Sequence, residues 1–164
     1  MDTSVVILLV YFLVFLPLML MRPMWPFRLK RSVQASPDAV WNLISDIDNA
    51  TFTMPNIETL DVQRDPDDPN LLHCTAHLKR RKRPFKYTAR LIESKPGKVQ
   101  AWEYMNPEQT KRFGSSEHRL SPDRQGTTIE FTARTRVFGI VGIIFSRSIY
   151  RRHLSQLEAM SEWA

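Results

Sequence analysis

Ser115, Ser116 and His118 stand within four positions of one another and are the residue types of a nucleophile and its base. No Gly-x-Ser-x-Gly elbow surrounds them and no acid follows at a useful spacing, so local sequence alone does not point to an enzyme. His73-Cys74-x-x-His77 carries metal-ligand types. On a helix, two histidines four apart could share a zinc ion. On the strand expected here they lie roughly 13 Å apart at about 3.3 Å per residue, with Cys74 facing the other way. No metal site is therefore expected. The third cluster is KRRKRPFK, residues 79–86, in which Lys79, Arg80, Arg81, Lys82, Arg83 and Lys86 could contact anionic headgroups or simply solvate a loop. A nucleic-acid reading lacks an aromatic RNP-type motif, so no nucleic-acid partner is expected.

The 164 residues have room for one ordinary domain, and 43% hydrophobic with 24% charged residues argues against a wholly disordered chain. The five glycines form neither GxGxxG nor GxxxxGK[ST], which removes Rossmann and P-loop nucleotide binding, and no cofactor is expected. A lone cysteine, Cys74, excludes an internal disulfide framework.

The net charge of +6 is unevenly placed: all 23 Lys and Arg lie at or after Arg22, and the first 21 residues hold a single acid, Asp2. Residues 5–21 read VVILLVYFLVFLPLMLM without a charge. As a helix they span roughly 26 Å, near the lower limit for crossing a bilayer. A cleaved signal peptide would need a basic start and small residues at its end, whereas this run starts after Met1-Asp2-Thr3-Ser4 and ends in Leu20-Met21-Arg22. One uncleaved transmembrane helix is expected, within a juxtamembrane region 1–26 that precedes a domain at 27–164. Arg22, Arg28, Lys30 and Arg31 flank its C-terminal side, so the positive-inside rule places the domain in the cytoplasm.

Alternation of apolar residues predicts a strand over 27–35. Ser36 as N-cap and Pro37 at the first helical position open a helix with Val40, Trp41, Leu43, Ile44 and Ile47 on one stripe, ending near Asp48-Asn49. A short turn over 50–54 follows. Strands are expected over 57–64, 71–79, 84–93, 98–105, 111–120 and 127–137, separated by turns rich in Pro, Asp and Gly. Which face of 98–105 points inward is open: Trp102 and Tyr104 oppose Ala101 and Glu103. A final helix over 139–163 should bury Ile143, Ile144, Tyr150, Leu154, Leu157 and Met160, with Arg147, Arg151, Glu158 and Glu162 in water. Consecutive strands followed by one helix argue for an α+β architecture with an antiparallel sheet covered on one face.

Two segments carry a resemblance. ASPDAVWNLISDIDNATFTMPNIETLDV, residues 35–62, with Val40-Trp41 and Asp46, resembles the opening of the SRPBCC superfamily of START domains, polyketide cyclases and birch-pollen-allergen-like proteins. EHRLSPDRQGTTIEFTARTRVFG, residues 117–139, is similar to its last two strands and the Gly-Thr turn between them. The resemblance covers about residues 28–163. It implies a helix-grip fold, a curved antiparallel sheet around the long C-terminal helix, enclosing an apolar cavity. It also implies members that bind lipids, sterols, quinones or polyketides, and others that catalyse cyclisation or dehydration. It carries no common catalytic residue set onto this chain.

In such a fold, Tyr87, Trp102, Tyr104, His118, Phe131 and Tyr150 are the candidate cavity residues, though each is also ordinary core chemistry. The leading expectation is membrane-tethered binding or transfer of a hydrophobic ligand such as a lipid or quinone, with the basic hairpin facing anionic headgroups. The alternatives are a cyclase- or dehydratase-like enzyme, with His118 and Tyr87 or Glu103 as acid and base, and an interaction module whose core is filled by its own side chains.

Overall fold

In the computed structural model, which describes residues 24–79, 81–137 and 139–161 together with Ser4, Val5 and Leu13, a single antiparallel sheet grips one long helix. The expected anchor, residues 5–21, lies outside the described residues except at Val5 and Leu13. Among the described residues no helix is long and apolar enough to cross a membrane.

The strands are β1 (Met24–Val33), β2 (Ile57–Arg64), β3 (Leu71–Leu78), β4 (Phe85–Lys95), β5 (Val99–Met105), β6 (Arg112–Asp123) and β7 (Gly126–Arg136). Helix α1 (Pro37–Ser45), a 3-10 turn (Ile47–Asn49) and the short α2 (Ala50–Thr53) fill the crossing between β1 and β2, and α3 (Gly139–Ser161) closes the chain. The sheet order is β1-β7-β6-β5-β4-β3-β2, all pairs antiparallel. Five hairpins thus lie side by side from β2 to β7, and β1 adds to the β7 edge through ten paired residues from Met24↔Arg136 to Val33↔Thr127. Register shifts at Ile57/Thr59, Leu91/Glu93 and Tyr104/Met105 put extra residues into the strands, which bends them.

Local chemistry accounts for the boundaries. Ser36 Oγ accepts from Ala39 N at 3.2 Å, capping α1, and Pro37 occupies the first turn. The helix stops at Ser45, earlier than the apolar stripe suggests, because Asp46 is extended and its carboxylate accepts from Asp48 N at 3.0 Å to start the 3-10 turn. β1 ends at Val33 rather than Ala35 where the β6–β7 turn packs against it. Gly126 there has φ +147°, and a Cβ on it would stand 2.2 Å from the Val33 carbonyl oxygen.

The inner face carries two apolar clusters. Phe27, Val33, Val40, Ile129, Phe131, Leu154 and Leu157 form the larger, joining β1, β7, α1 and the C-terminal half of α3. Leu72, Cys74 and Ala89 form the smaller, with Tyr87, Trp102 and Tyr104 partly buried against it. One expectation for α3 fails. Ile143 packs half-buried against the larger cluster, but Ile144 is 66% exposed, and Val141 and Phe145 beside it are exposed too.

Candidate functional site

Alternation along β5 settles the face left open by its sequence. Gln100, Trp102 and Tyr104 turn inward, while Glu103 turns out to pair with Arg112 at 2.7 Å. On β6 the same alternation puts Ser116 and His118 inside, and on β4 it puts Tyr87 there. α3 crosses above them. Tyr150 stands 5.2 Å from the Phe27 and Phe131 rings, and His153, one turn on, faces His118.

Between these elements lies a cavity in two compartments. The larger, about 340 Å³, is bordered by Tyr87, Tyr104, Phe113, Phe131, Ile149 and Tyr150 among others, drawing on both apolar clusters. The smaller, about 60 Å³, lies under α1 and α2 and is walled by Trp102, Tyr104, Ser116, His118 and His153 with Gln100. Tyr104 and Ser116 border both. The six cavity candidates are therefore divided: Tyr87, Phe131 and Tyr150 line the large compartment, Trp102 and His118 the small one, and Tyr104 both.

Polar side chains bond one another in the small compartment, while Asn56, Ser115, Arg134 and Thr135 also border the large one. Tyr104 Oη and Ser116 Oγ share a hydrogen bond of 2.8 Å. His153 Nδ1 donates to the Thr53 carbonyl oxygen at 2.9 Å. A carbonyl oxygen only accepts, so Nδ1 carries the proton and neutral His153 presents Nε2 as an acceptor. His118 Nε2 donates to it at 3.0 Å, which leaves His118 Nδ1 buried, without a proton and without a partner. Burial, reinforced by the neighbouring His153, holds the His118 pKa well below the usual imidazole range. Burial also pushes His153 down to about 4 and Tyr104 up to about 12, and raises Tyr87 further still. At neutral pH these four side chains are uncharged donors and acceptors set in an apolar wall.

The expected acid–base partners of His118 are corrected by this geometry. Glu103 is on the opposite face of the sheet, Tyr87 borders the other compartment, and the partner is His153, 35 residues away. His153 and Gln100 were not legible as site residues from motifs. The signal available for His153 was its place on the Tyr150, Leu154, Leu157 stripe, where a polar residue must find a buried partner. For Gln100 it was alternation with Trp102 and Tyr104. His73, by contrast, is tied to Asp65 at 2.9 Å on the outside of β3.

The large compartment opens into a vestibule of about 530 Å³ bordered by Asn56, Leu78, Phe145 and Ile149, which it shares with the cavity, and by Lys79, Arg81 and Arg152. The β3–β4 hairpin tip supplies the first two cations, with the Arg81 guanidinium 5.6 Å from the centre of the Phe85 ring. Lys82, Arg83 and Lys86 are exposed beside them, and Arg80 lies outside the described residues.

The profile of the polyketide cyclase / dehydrase and lipid transport family matches residues 24–162. Protein CV1439 of Chromobacterium violaceum superposes with a TM-score of 0.66 at 17% identity over 85% of this chain and 99% of that one. The di-domain aromatase/cyclase StfQ of the steffimycin biosynthetic pathway superposes at 0.63 with 11% identity over 84% of this chain, which spans half of that protein. Protein DR_A0006 of Deinococcus radiodurans gives 0.60 at 16% identity over 84% of this chain and 95% of that one. At these identities the likeness is one of fold. No curated protein matches the sequence.

Proposed function

We propose that this chain, which belongs to the polyketide cyclase / dehydrase and lipid transport family, binds and transfers a hydrophobic small molecule beside a membrane. The observation that carries this reading is the open apolar compartment of about 340 Å³, whose walls come from the sheet and α3 and whose vestibule is rimmed by Lys79, Arg81 and Arg152. An interaction module with a filled core would close that space. A cyclase- or dehydratase-like enzyme would draw on the same compartment, where His118 bonds a second neutral histidine and the one carboxylate in the lining, Asp46, accepts from Asp48 N.

Tethering is part of the proposal. The uncharged run 5–21 leads into β1 at Met24, which pairs with Arg136 three residues before α3 begins. The chain thus enters the domain at the end of the sheet that carries the exposed Val141, Ile144 and Phe145. The register through β6, β5, β4 and β3 puts the 79–86 hairpin at the same end. An embedded run would hold this end against the headgroups, where exposed apolar side chains gain by insertion and the hairpin bases gain from anionic lipid. The bases after the run favour the cytoplasmic side for the domain.

The test is mass spectrometry of the full-length protein, purified in lipid nanodiscs and opened for extraction. A stoichiometric apolar molecule, or its uptake from vesicles of membrane lipid and quinone, is expected. Protein that stays free of adducts after that incubation would end the carrier reading.

A further inference from the structure

One end of the cavity, the small compartment, brings Gln100, Ser116, His118 and His153 together. Gln100, only 3% exposed, borders this compartment with a side-chain amide that offers two donors and an acceptor. His118 Nδ1, in the same wall, is buried without a hydrogen-bond partner. A buried polar group left in this way costs free energy that a bound partner would recover. Both residues border the 60 Å³ compartment, which has room for about two water-sized groups.

Position along β6 fixes which end this is. Phe113, Gly114 and Ser116 border the large compartment, and Ser116 and His118 border the small one, so the polar end lies inward from the vestibule and the basic hairpin. Among the described residues no Lys or Arg lines it, and Asp46 does. An ionised carboxylate or phosphate there would be stripped of water with no cation to meet it. A neutral group that both donates and accepts suits the inner end.

We infer that the ligand is an amphiphile with an apolar body and one uncharged hydroxyl terminus, seated hydroxyl inward against Gln100 and His118 with its apolar end toward the vestibule. This rests on the ligand-binding reading above and sharpens it. A phospholipid held by its headgroup would sit the other way round, with its phosphate at Lys79 and Arg81.

The inference is tested on the full-length protein in zwitterionic nanodiscs with two probes of the same apolar body, para-octylphenol and its methyl ether para-octylanisole, corrected for partition into empty discs. The phenol is expected to bind about tenfold tighter or more, since the ether cannot donate and adds a methyl group in a tight space. Gln100→Leu, close in size, should remove most of the phenol's advantage over the ether. The probe comparison on the unmodified protein needs no variant to fold. Equal affinities, or a preference that survives Gln100→Leu undiminished, would overturn the inference and leave ligand binding standing. Failure of both probes to bind, with no adduct in the extraction experiment, would overturn both.

Discussion

His153 is 2% exposed, yet its imidazole does two jobs: Nδ1 ties α3 to the Thr53 carbonyl, and Nε2 accepts from His118. Both depend on the ring being neutral. Burial lowers the folded-state pKa to about 4 from an ordinary value near 6.5, so the unfolded chain binds the proton first as pH falls. Stability from this group is complete above about pH 6.5 and is lost progressively down to about pH 4. His118, depressed mainly by burial and then by His153, acts in the same direction. Urea denaturation should show a loss of about 2 kcal/mol from His153 alone between pH 7 and 5. His153→Phe should flatten that slope while lowering stability at pH 7, and a slope that persists unchanged in the variant would place its origin elsewhere.

Helix α3 behaves as two halves. Leu154 and Leu157, at 2% and 0% exposure, pack into the larger cluster with Phe27 and Ile129, whereas Val141, Ile144 and Phe145 have no such cover. Leu157→Ala should cost about 3 kcal/mol through the cavity it leaves, read as a shift in denaturation midpoint. Ile144→Ser should move that midpoint by no more than about 0.5 kcal/mol, yet slow ligand uptake from vesicles. Equal losses of stability from the two would mean the exposed half is packed after all. The helix itself was legible from its apolar stripe, and so was the buried side of its second half. Ile144 was misassigned because helical periodicity identifies an apolar face without saying that anything covers it.

Bases are concentrated at one end of the molecule. The hairpin bases Lys79, Arg81, Lys82, Arg83 and Lys86 and the strand-end Arg112 and Arg136 lie toward the end where β1 begins, while the other end mixes Asp65, Asp67, Asp68 and Asp123 with Lys95, Lys98 and Arg124. The proposed docking at an anionic surface would use that concentration, and salt screens it. Replacing Arg81, Lys82 and Arg83 by Gln should slow ligand uptake from anionic vesicles at least about tenfold at low ionic strength. Uptake from zwitterionic vesicles and the denaturation midpoint should not change. High salt should bring the native protein down toward the variant, and a variant indistinguishable from native at low salt would remove the hairpin from the docking role.

Local chemistry determined most of the element order. Ser36-Pro37 announced α1, alternating residues announced the strands, and β7 showed its buried face as Ile129, Phe131 and Ala133, with Val137 just beyond its end. These signals are short-range, since a cap or a pleat needs only neighbours within a turn or two. The cavity candidates could likewise be drawn from the inward aromatics once the resemblance suggested a helix-grip fold. What only the tertiary structure decided was which polar groups meet. His118 and His153 are neighbours because β6 lies beneath α3, Gln100 turns inward because of the β5 register, and the cavity divides where Tyr104 bonds Ser116 across adjoining strands. Each of those contacts joins residues from different elements, and no periodicity within one element encodes a distance to another.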